Sequence, residues 1–364
     1  MHLNHIKLAH FKNYENAEFT FCEKVNAIVG ENGSGKTNLL DAIHYLSFCK
    51  SYFTPHDSLS IYFDSDFFAI HGEFIDPGNN DASTPVSCTF KANGGKVMKA
   101  NLKEYHVLSD HIGIFPSIMI SPSDTDLISE GSELRRKFID MIISQFDKDY
   151  LRSLITYQKL INQRNVLLKQ FIEQRHFNRD LLNVFDDQLL EPGYHIFTKR
   201  KEYTEQIIPF FQYYYDFLSG QKETVHISYD SGLLFQSFEE GLLLNETADA
   251  KSGYSHFGVH KDDFIFTLND KPIKRFGSQG QQKSFTIALK LAQFDYIYSK
   301  KKIRPILLLD DIFDKLDIHR IDRLLELMGK EEIGQVFLSD TNEKRVIDIL
   351  DKHRIEYKIF PITR

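Results

Sequence analysis

Residues 30–37 read Gly30-Glu31-Asn32-Gly33-Ser34-Gly35-Lys36-Thr37, which satisfies GxxxxGK[ST] at every constrained position. Glycines at this spacing let successive backbone N–H groups converge on phosphate oxygens, and the start of a following helix adds its dipole. Lys36 is expected to reach the β- and γ-phosphates, and the Thr37 hydroxyl to ligate Mg²⁺. The rest of the loop, with Asn38 after it, is expected to line the nucleotide. A second group, Ile306-Leu307-Leu308-Leu309-Asp310-Asp311, reads as a buried parallel strand ending in two carboxylates. Asp310 is the candidate to hold Mg²⁺, directly or through water, and Asp311 the candidate base or water-orienting group. The NKxD that would read guanine is absent, so ATP is the expected nucleotide.

A third group is Phe276-Gly277-Ser278-Gln279-Gly280-Gln281-Gln282-Lys283. It resembles the signature loop of ABC-type ATPases and precedes a helical stretch, so Ser278, Gln279, Gly280 and Gln281 are candidate phosphate contacts. In that class the loop reaches the γ-phosphate on a second protomer. Ser278 stands 27 residues before Pro305, in the order and approximate spacing of the class, and Asp314-Lys315-Leu316-Asp317 falls where its D-loop lies. Two departures stand out. Asp311 occupies a position where transporters and SMC heads usually carry Glu, and Ser339-Asp340-Thr341-Asn342 offers no switch histidine. Sensing of the γ-phosphate would then fall to Asp340, Thr341 or Asn342. No Q-loop glutamine is identifiable.

These groups need strands and helices to hold them. Short strands are expected at His5–Phe11, Asn16–Phe21 and Val25–Val29. A helix follows over Asn38–Phe48, where Leu39, Ile43 and Leu46 recur at helical spacing. From Ser60 to Met119, β-rich segments alternate with Pro77-Gly78-Asn79-Asn80 and Asn93-Gly94-Gly95, a pattern of antiparallel hairpins. Residues 133–217 lose nearly all Gly and Pro. Leu151, Ile155, Ile161, Leu168 and Ile172 mark one amphipathic helix, and Tyr194–Phe217 another, with Pro209 as an expected break. The chain then ends α/β: strand Pro305–Asp310, helix Ile318–Met328, strand Gln335–Leu338, helix Glu343–His353 and strand Glu356–Phe360. The expected fold is α/β, an ABC/SMC-like P-loop ATPase head with an inserted, mainly helical lobe. Residues 1–130 and 225–364 form the head in this reading, and 131–224 the lobe.

Composition removes several classes. The 364 residues carry a net charge of −7, which speaks against a protein that coats DNA indiscriminately. The apolar run at 306–309 is far short of the ~20 residues of a membrane helix, so no membrane partner is expected. The start MHLNHIKLAH is not an export signal, and Cys22, Cys49 and Cys88 form neither a disulfide framework nor a zinc knot. A cytoplasmic protein is expected. Charge is uneven, however. Residues 133–180 hold ten Lys/Arg against six acids, while 186–249 hold four against twelve. A basic lobe surface could therefore meet nucleic-acid phosphates. Arg164 could belong to that surface or anchor the lobe. His260, beside Asp262-Asp263, reads as a structural or ATP-adjacent residue, and Tyr213-Tyr214-Tyr215 as packing more than base stacking.

Taken together, the chain resembles the RecF family, bacterial recombination and gap-repair ATPases related to SMC proteins. Phe11-Lys12-Asn13-Tyr14 resembles the family's FRNY start, and residues 30–43 are close to GENGQGKTNLLEAI. Lys50-Ser51 resembles KSFR with Phe53 in place of the arginine. Residues 122–140 resemble PEDL…GSPxxRRxFLD with Ser123, Asp126 and Glu133 altered. Gln163-Arg164-Asn165 with Leu167-Leu168 matches QRNxLL, Gly258–Asp263 resembles GPHRDD, and Ala288–Ala292 continues the signature helix. The resemblance implies an ATP-dependent homodimer that binds single- or double-stranded DNA, gap junctions included, and helps load RecA at single-stranded gaps. It also implies a RecR-type partner, RecO in the same pathway, and slow hydrolysis that serves release. A transporter subunit would have a shorter spacer than the 241 residues from Thr37 to Ser278. An SMC bridge needs far more coiled coil than the helical stretch supplies. An ABC/SMC-like ATPase of another DNA-transaction or phage-defence system is the remaining alternative.

Overall fold

The computed structural model describes residues 1–220, 223–313, 318–330 and 333–363. The expected D-loop, 314–317, lies outside the described residues. In chain order the head-forming elements begin with β1 (His2–Phe11), β2 (Tyr14–Thr20), β3 (Val25–Val29), α1 (Lys36–Phe48), β4 (Phe67–Asp76), β5 (Ala82–Lys91), β6 (Gly95–Ala100), β7 (Lys103–Glu104) and β8 (Ser117–Ile120). Next come α2 (Asp126–Ser129), α3 (Ser132–Ser144), α4 (Lys148–Gln174), α5 (Arg179–Ser219), β9 (Val225–Asp230), α6 (Phe238–Ser252), β10 (Asp263–Leu268), β11 (Lys271–Pro272) and α7 (Ile273–Phe276). The chain closes with α8 (Gln279–Lys301), β12 (Ile306–Leu309), α9 (Ile318–Met328), β13 (Val336–Asp340), α10 (Glu343–Lys352) and β14 (Tyr357–Pro361).

Two compact units result, 1–125 with 213–222 and 279–364, and 126–212 with 223–278. The first holds a five-stranded sheet in the order β14-β3-β13-β12-β8, parallel at every pairing, and an antiparallel sheet in the order β2-β1-β4-β5-β6-β7. Strands β3, β12 and β13 are buried along their whole length, as parallel strands covered on both faces must be. Helix α1 is expected to show one apolar face, yet eleven of its thirteen residues are buried. It packs against strands of both sheets, so every side of it meets protein. Gly72 of β4 permits this approach, because a Cβ there would collide with Leu46.

The second unit differs from expectation in extent. The reading of 225–278 as head is replaced by a unit in which 223–278 joins the helices. The physical reason is pairing: β9, β10 and β11 form their own sheet and add no strand to either head sheet. Buried ion pairs then tie this segment to the helices, Arg164 to Asp249 and Arg200 to Asp262. Helix α5 runs through both Pro192 and Pro209, so Pro209 does not break it. The turns around it are held by buried Tyr203, Ile207 and Phe211, which outweigh one lost N–H. The buried line of α4 is Tyr150, Tyr157, Arg164 and Phe171, whereas Ile155 and Ile172 are exposed.

Candidate nucleotide and metal site

The site lies at the carboxyl ends of β3, β13 and β12, neighbours in the parallel sheet. That is where open α/β sheets gather their loops. The 30–35 loop leaves β3 and enters α1. Gly35 sits at φ 122°, a backbone region open to glycine, and a side chain there would strike Asn13 and Tyr14. Those two residues, at the β1–β2 turn, hold the loop. Asn13 Nδ2 donates to Ser34 O at 2.8 Å, Tyr14 OH donates to Gly35 O at 3.1 Å, and Asn38 Nδ2 donates to Asn13 Oδ1 at 2.7 Å. Lys36 is 4% exposed and curls over the loop, its Nζ donating to the carbonyls of Gly30 and Glu31, both at 3.0 Å. A tri-phosphate seated in the loop would present anionic oxygens to the same ammonium.

Thr37 and Asp310 meet as a magnesium site requires. Thr37 Oγ1 donates to Asp310 Oδ1 at 2.8 Å. Hydroxyl and carboxylate oxygens are the hard donors that Mg²⁺ takes, with water and phosphate completing an octahedron, so these residues fit the ion. Burial pushes the Asp310 carboxyl above its usual range, while hydrogen bonds from Ser339 and Thr37 pull the other way. Asp311, the candidate base, is half-buried beside it at φ 43°, an uncommon conformation for a non-glycine residue.

Ser339 was not among the expected site residues. Its hydroxyl donates to Asp310 Oδ1 at 2.8 Å and accepts the Asp311 N–H at 2.9 Å, which pins the Asp310 carboxylate and the Asp311 backbone. The signal for it is register. β13 pairs in parallel with β12, Leu309 opposite Leu338, so the next residue of each strand is level with the other. Of the expected γ-phosphate sensors, Asp340 is buried and ion-paired to Arg345 at 2.6 Å, and Asn342 caps α10 by accepting the Arg345 N–H at 3.0 Å. Thr341 is exposed and lines a recess with Gly30, Glu31, Ser34 and Ile362.

The bonds described at Lys36, Thr37 and Asp310 involve none of residues 278–281. Ser278 is exposed and precedes the first residue of α8, and the backbone of Gly280 lies beside the Arg320 guanidinium. Exposure is what a group reaching a second protomer needs.

The basic segment 133–180 is mostly committed to structure. Arg164 is fully buried and pairs with Asp186 and Asp249, each at 2.6 Å, which makes it an anchor of the lobe. Arg135 grips Asp263 through two bonds of 2.7 and 2.9 Å, and Arg136 donates to Asp262 O at 2.6 Å. Lys137, Arg152 and Arg179 also hold acids. Lys159, Lys169 and Arg175 are exposed, with no ion pair among the described residues, and Lys169 lies over the Tyr254 ring. His260 is structural: its Nδ1 meets Tyr157 OH at 2.8 Å and its Nε2 the Ser255 carbonyl at 3.1 Å, and burial lowers it to about 4. Tyr214 and Tyr215 are buried, while Tyr213 is half-exposed.

The family model described as the RecF/RecN/SMC N terminal domain matches residues 2–354. A DNA replication and repair protein RecF from Flavobacterium johnsoniae is 46% identical over 360 residues, 99% of each chain. One from Phocaeicola vulgatus is 44% identical, over 100% of this chain and 96% of its own. Among solved structures, the recombination mediator protein RecF-ATPrS in the RecFOR pathway is similar at TM-score 0.88 and 29% identity, covering 100% of this chain and 96% of that one. An Smc head bound to the winged-helix domain of ScpA shares the fold at TM-score 0.58 and 16% identity, covering 100% and 95%. Among the described residues, no helix is long and apolar enough to cross a membrane.

Proposed function

Since this chain belongs to the RecF family, we propose that it is an ATP-dependent DNA-binding ATPase of recombinational repair and replication-fork maintenance. In this reading it dimerises on ATP, binds DNA at single-stranded gaps, helps load RecA there with a RecR-type partner and RecO, and releases on slow hydrolysis. The cytoplasm is its place of action. The observation that carries the nucleotide part is the Thr37–Asp310–Ser339 cluster beside a loop whose lysine is already turned inward. The DNA part is supported by family membership.

Each residue has a task. The backbone amides of Gly33–Lys36 bind phosphate, and Lys36 exchanges two carbonyl partners for phosphate oxygens. When bound, Mg²⁺ would supply positive charge that neutralises the phosphates, and Thr37 and Asp310 would hold it. Ser339 keeps Asp310 in place, and its bond to the Asp311 amide directs Asp311 toward an attacking water. Asp is one methylene shorter than Glu, so the water is held less closely, which fits slow turnover. Ser278 and the amides that follow would close over the γ-phosphate of a second copy. Light scattering tests this: mass should double with ATP, and Ser278→Arg should keep ATP binding but stay monomeric. An ATP-induced dimer of Ser278→Arg would contradict the reading.

A further inference from the structure

Helix α8 carries a lysine in an unusual place. Lys290 is 2% exposed, three turns into a helix that begins at Gln279. A buried ammonium is costly unless each of its three N–H groups finds a partner. Lys290 Nζ donates to Tyr52 OH at 2.9 Å and to the Met119 carbonyl at 3.0 Å, and pairs with Asp124 at 3.0 Å. Tyr52 OH donates in turn to Asp124, whose other oxygen accepts the Ser121 N–H at 2.7 Å.

Both ends of this cluster lead to the nucleotide site. Met119 and Ile120 close β8, and the Ile120 carbonyl accepts the N–H of Asp310 at 2.8 Å. Lys290 therefore holds the residue next to the one that fixes the Asp310 backbone. In the other direction, Tyr52 N–H donates to Asp41 Oδ1 at 2.7 Å, and Asp41 lies fully buried on α1. Asp41 Oδ2 accepts from Ser51 Oγ and pairs with Lys12 Nζ, both at 2.6 Å. Lys12 precedes Asn13, which holds the phosphate loop. An apolar trio would fill the same space at similar or greater stability, so a buried ion pair is a poor stabiliser. What it adds is a fixed direction between three elements.

We infer that Tyr52, Asp124 and Lys290 are positioning residues that lock the helix behind the signature loop to the strand end holding Asp310. Their arrangement makes hydrolysis depend on where α8 sits. This rests on the ATPase reading above. The test compares the wild type with Tyr52→Phe, which deletes one oxygen, and with the charge-neutral pair Asp124→Asn/Lys290→Met. Steady-state kcat and KM for ATP are measured with thermal unfolding and amide hydrogen exchange. Tyr52→Phe should lower kcat about tenfold with KM within about twofold, and lower Tm by only a few degrees, because Lys290 loses one of its three partners. The double variant should lose at least as much kcat while folded. A kcat within about twofold of wild type in Tyr52→Phe would overturn the inference. So would a fall in kcat that only tracks lost thermal stability. If the wild type shows no hydrolysis that Lys36→Met abolishes, the ATPase reading fails instead. The inference is then decided by exchange: faster exchange at 279–290 and 306–310 in Tyr52→Phe supports it, and unchanged exchange refutes it.

Discussion

The Thr37 hydroxyl donates to Asp310 Oδ1 at 2.8 Å across 273 residues of sequence. Two motifs that are far apart in the chain thus share one oxygen. Asp310→Asn keeps the shape of this contact but removes the charge that neutralises a cation. Turnover should fall at least about a hundredfold, while a fluorescent ATP analogue still binds without Mg²⁺. Single-turnover hydrolysis and analogue titration check the split.

Ser339→Ala removes a donor from Asp310 and leaves the Asp311 amide without its acceptor. The loss of one such hydrogen bond is about 1–2 kcal/mol, which is a roughly tenfold lower kcat. Ser339→Thr should recover part of it, because the hydroxyl is kept. Equal kcat in wild type and Ser339→Ala would remove Ser339 from the site.

Arg164→Met should destabilise the chain by roughly 3–5 kcal/mol, since Asp249 would stay buried without its cation. Denaturant unfolding measures this. A variant as stable as wild type but weak on DNA would return Arg164 to the DNA surface.

If the lobe meets DNA as proposed, the exposed Lys159 and Arg175 are the expected phosphate contacts. Reversing both charges should weaken ATP-dependent DNA binding and flatten its salt dependence by about two units of slope. Melting temperature should hold, because both side chains are exposed.

Acid should destabilise the fold between pH 6.5 and 4. Burial lowers both His44 and His260 to about 4 from an ordinary 6.5. The unfolded chain therefore binds protons first as pH falls, and each histidine withdraws up to about 3 kcal/mol across that window. Asp262 works the other way. Burial raises it to about 6, so it favours the fold below its ordinary range and loses that contribution as pH rises through 6. The two histidines outweigh one aspartate. His44→Gln should flatten the acid limb of a stability–pH curve, and an unchanged limb would argue against this origin.

Local pattern carried the reading where chemistry is local. The β3–loop–α1 unit and the Leu309–Asp310 strand end were legible because motif and burial coincide in one short segment. Ser339 was not, because its role comes from β13 lying between β3 and β12, a fact of register and not of spacing. Arg164 was ambiguous for a related reason. An arginine at helical spacing looks like surface until the acids that bury it, Asp186 and Asp249, arrive from 22 and 85 residues away. Residues 225–278 read as head because their strands look like head strands, yet those strands pair only with one another. Tyr52 and Lys290 gave no signal at all, being an aromatic and a lysine in ordinary surroundings.

The most direct test is DNA affinity by fluorescence anisotropy on gapped, duplex and single-stranded DNA, with and without ATP and Mg²⁺, at two salt concentrations. The account predicts salt-sensitive binding that tightens with ATP and is lost in Lys36→Met. Binding that ignores ATP, or no binding to any of the three DNAs, would contradict it.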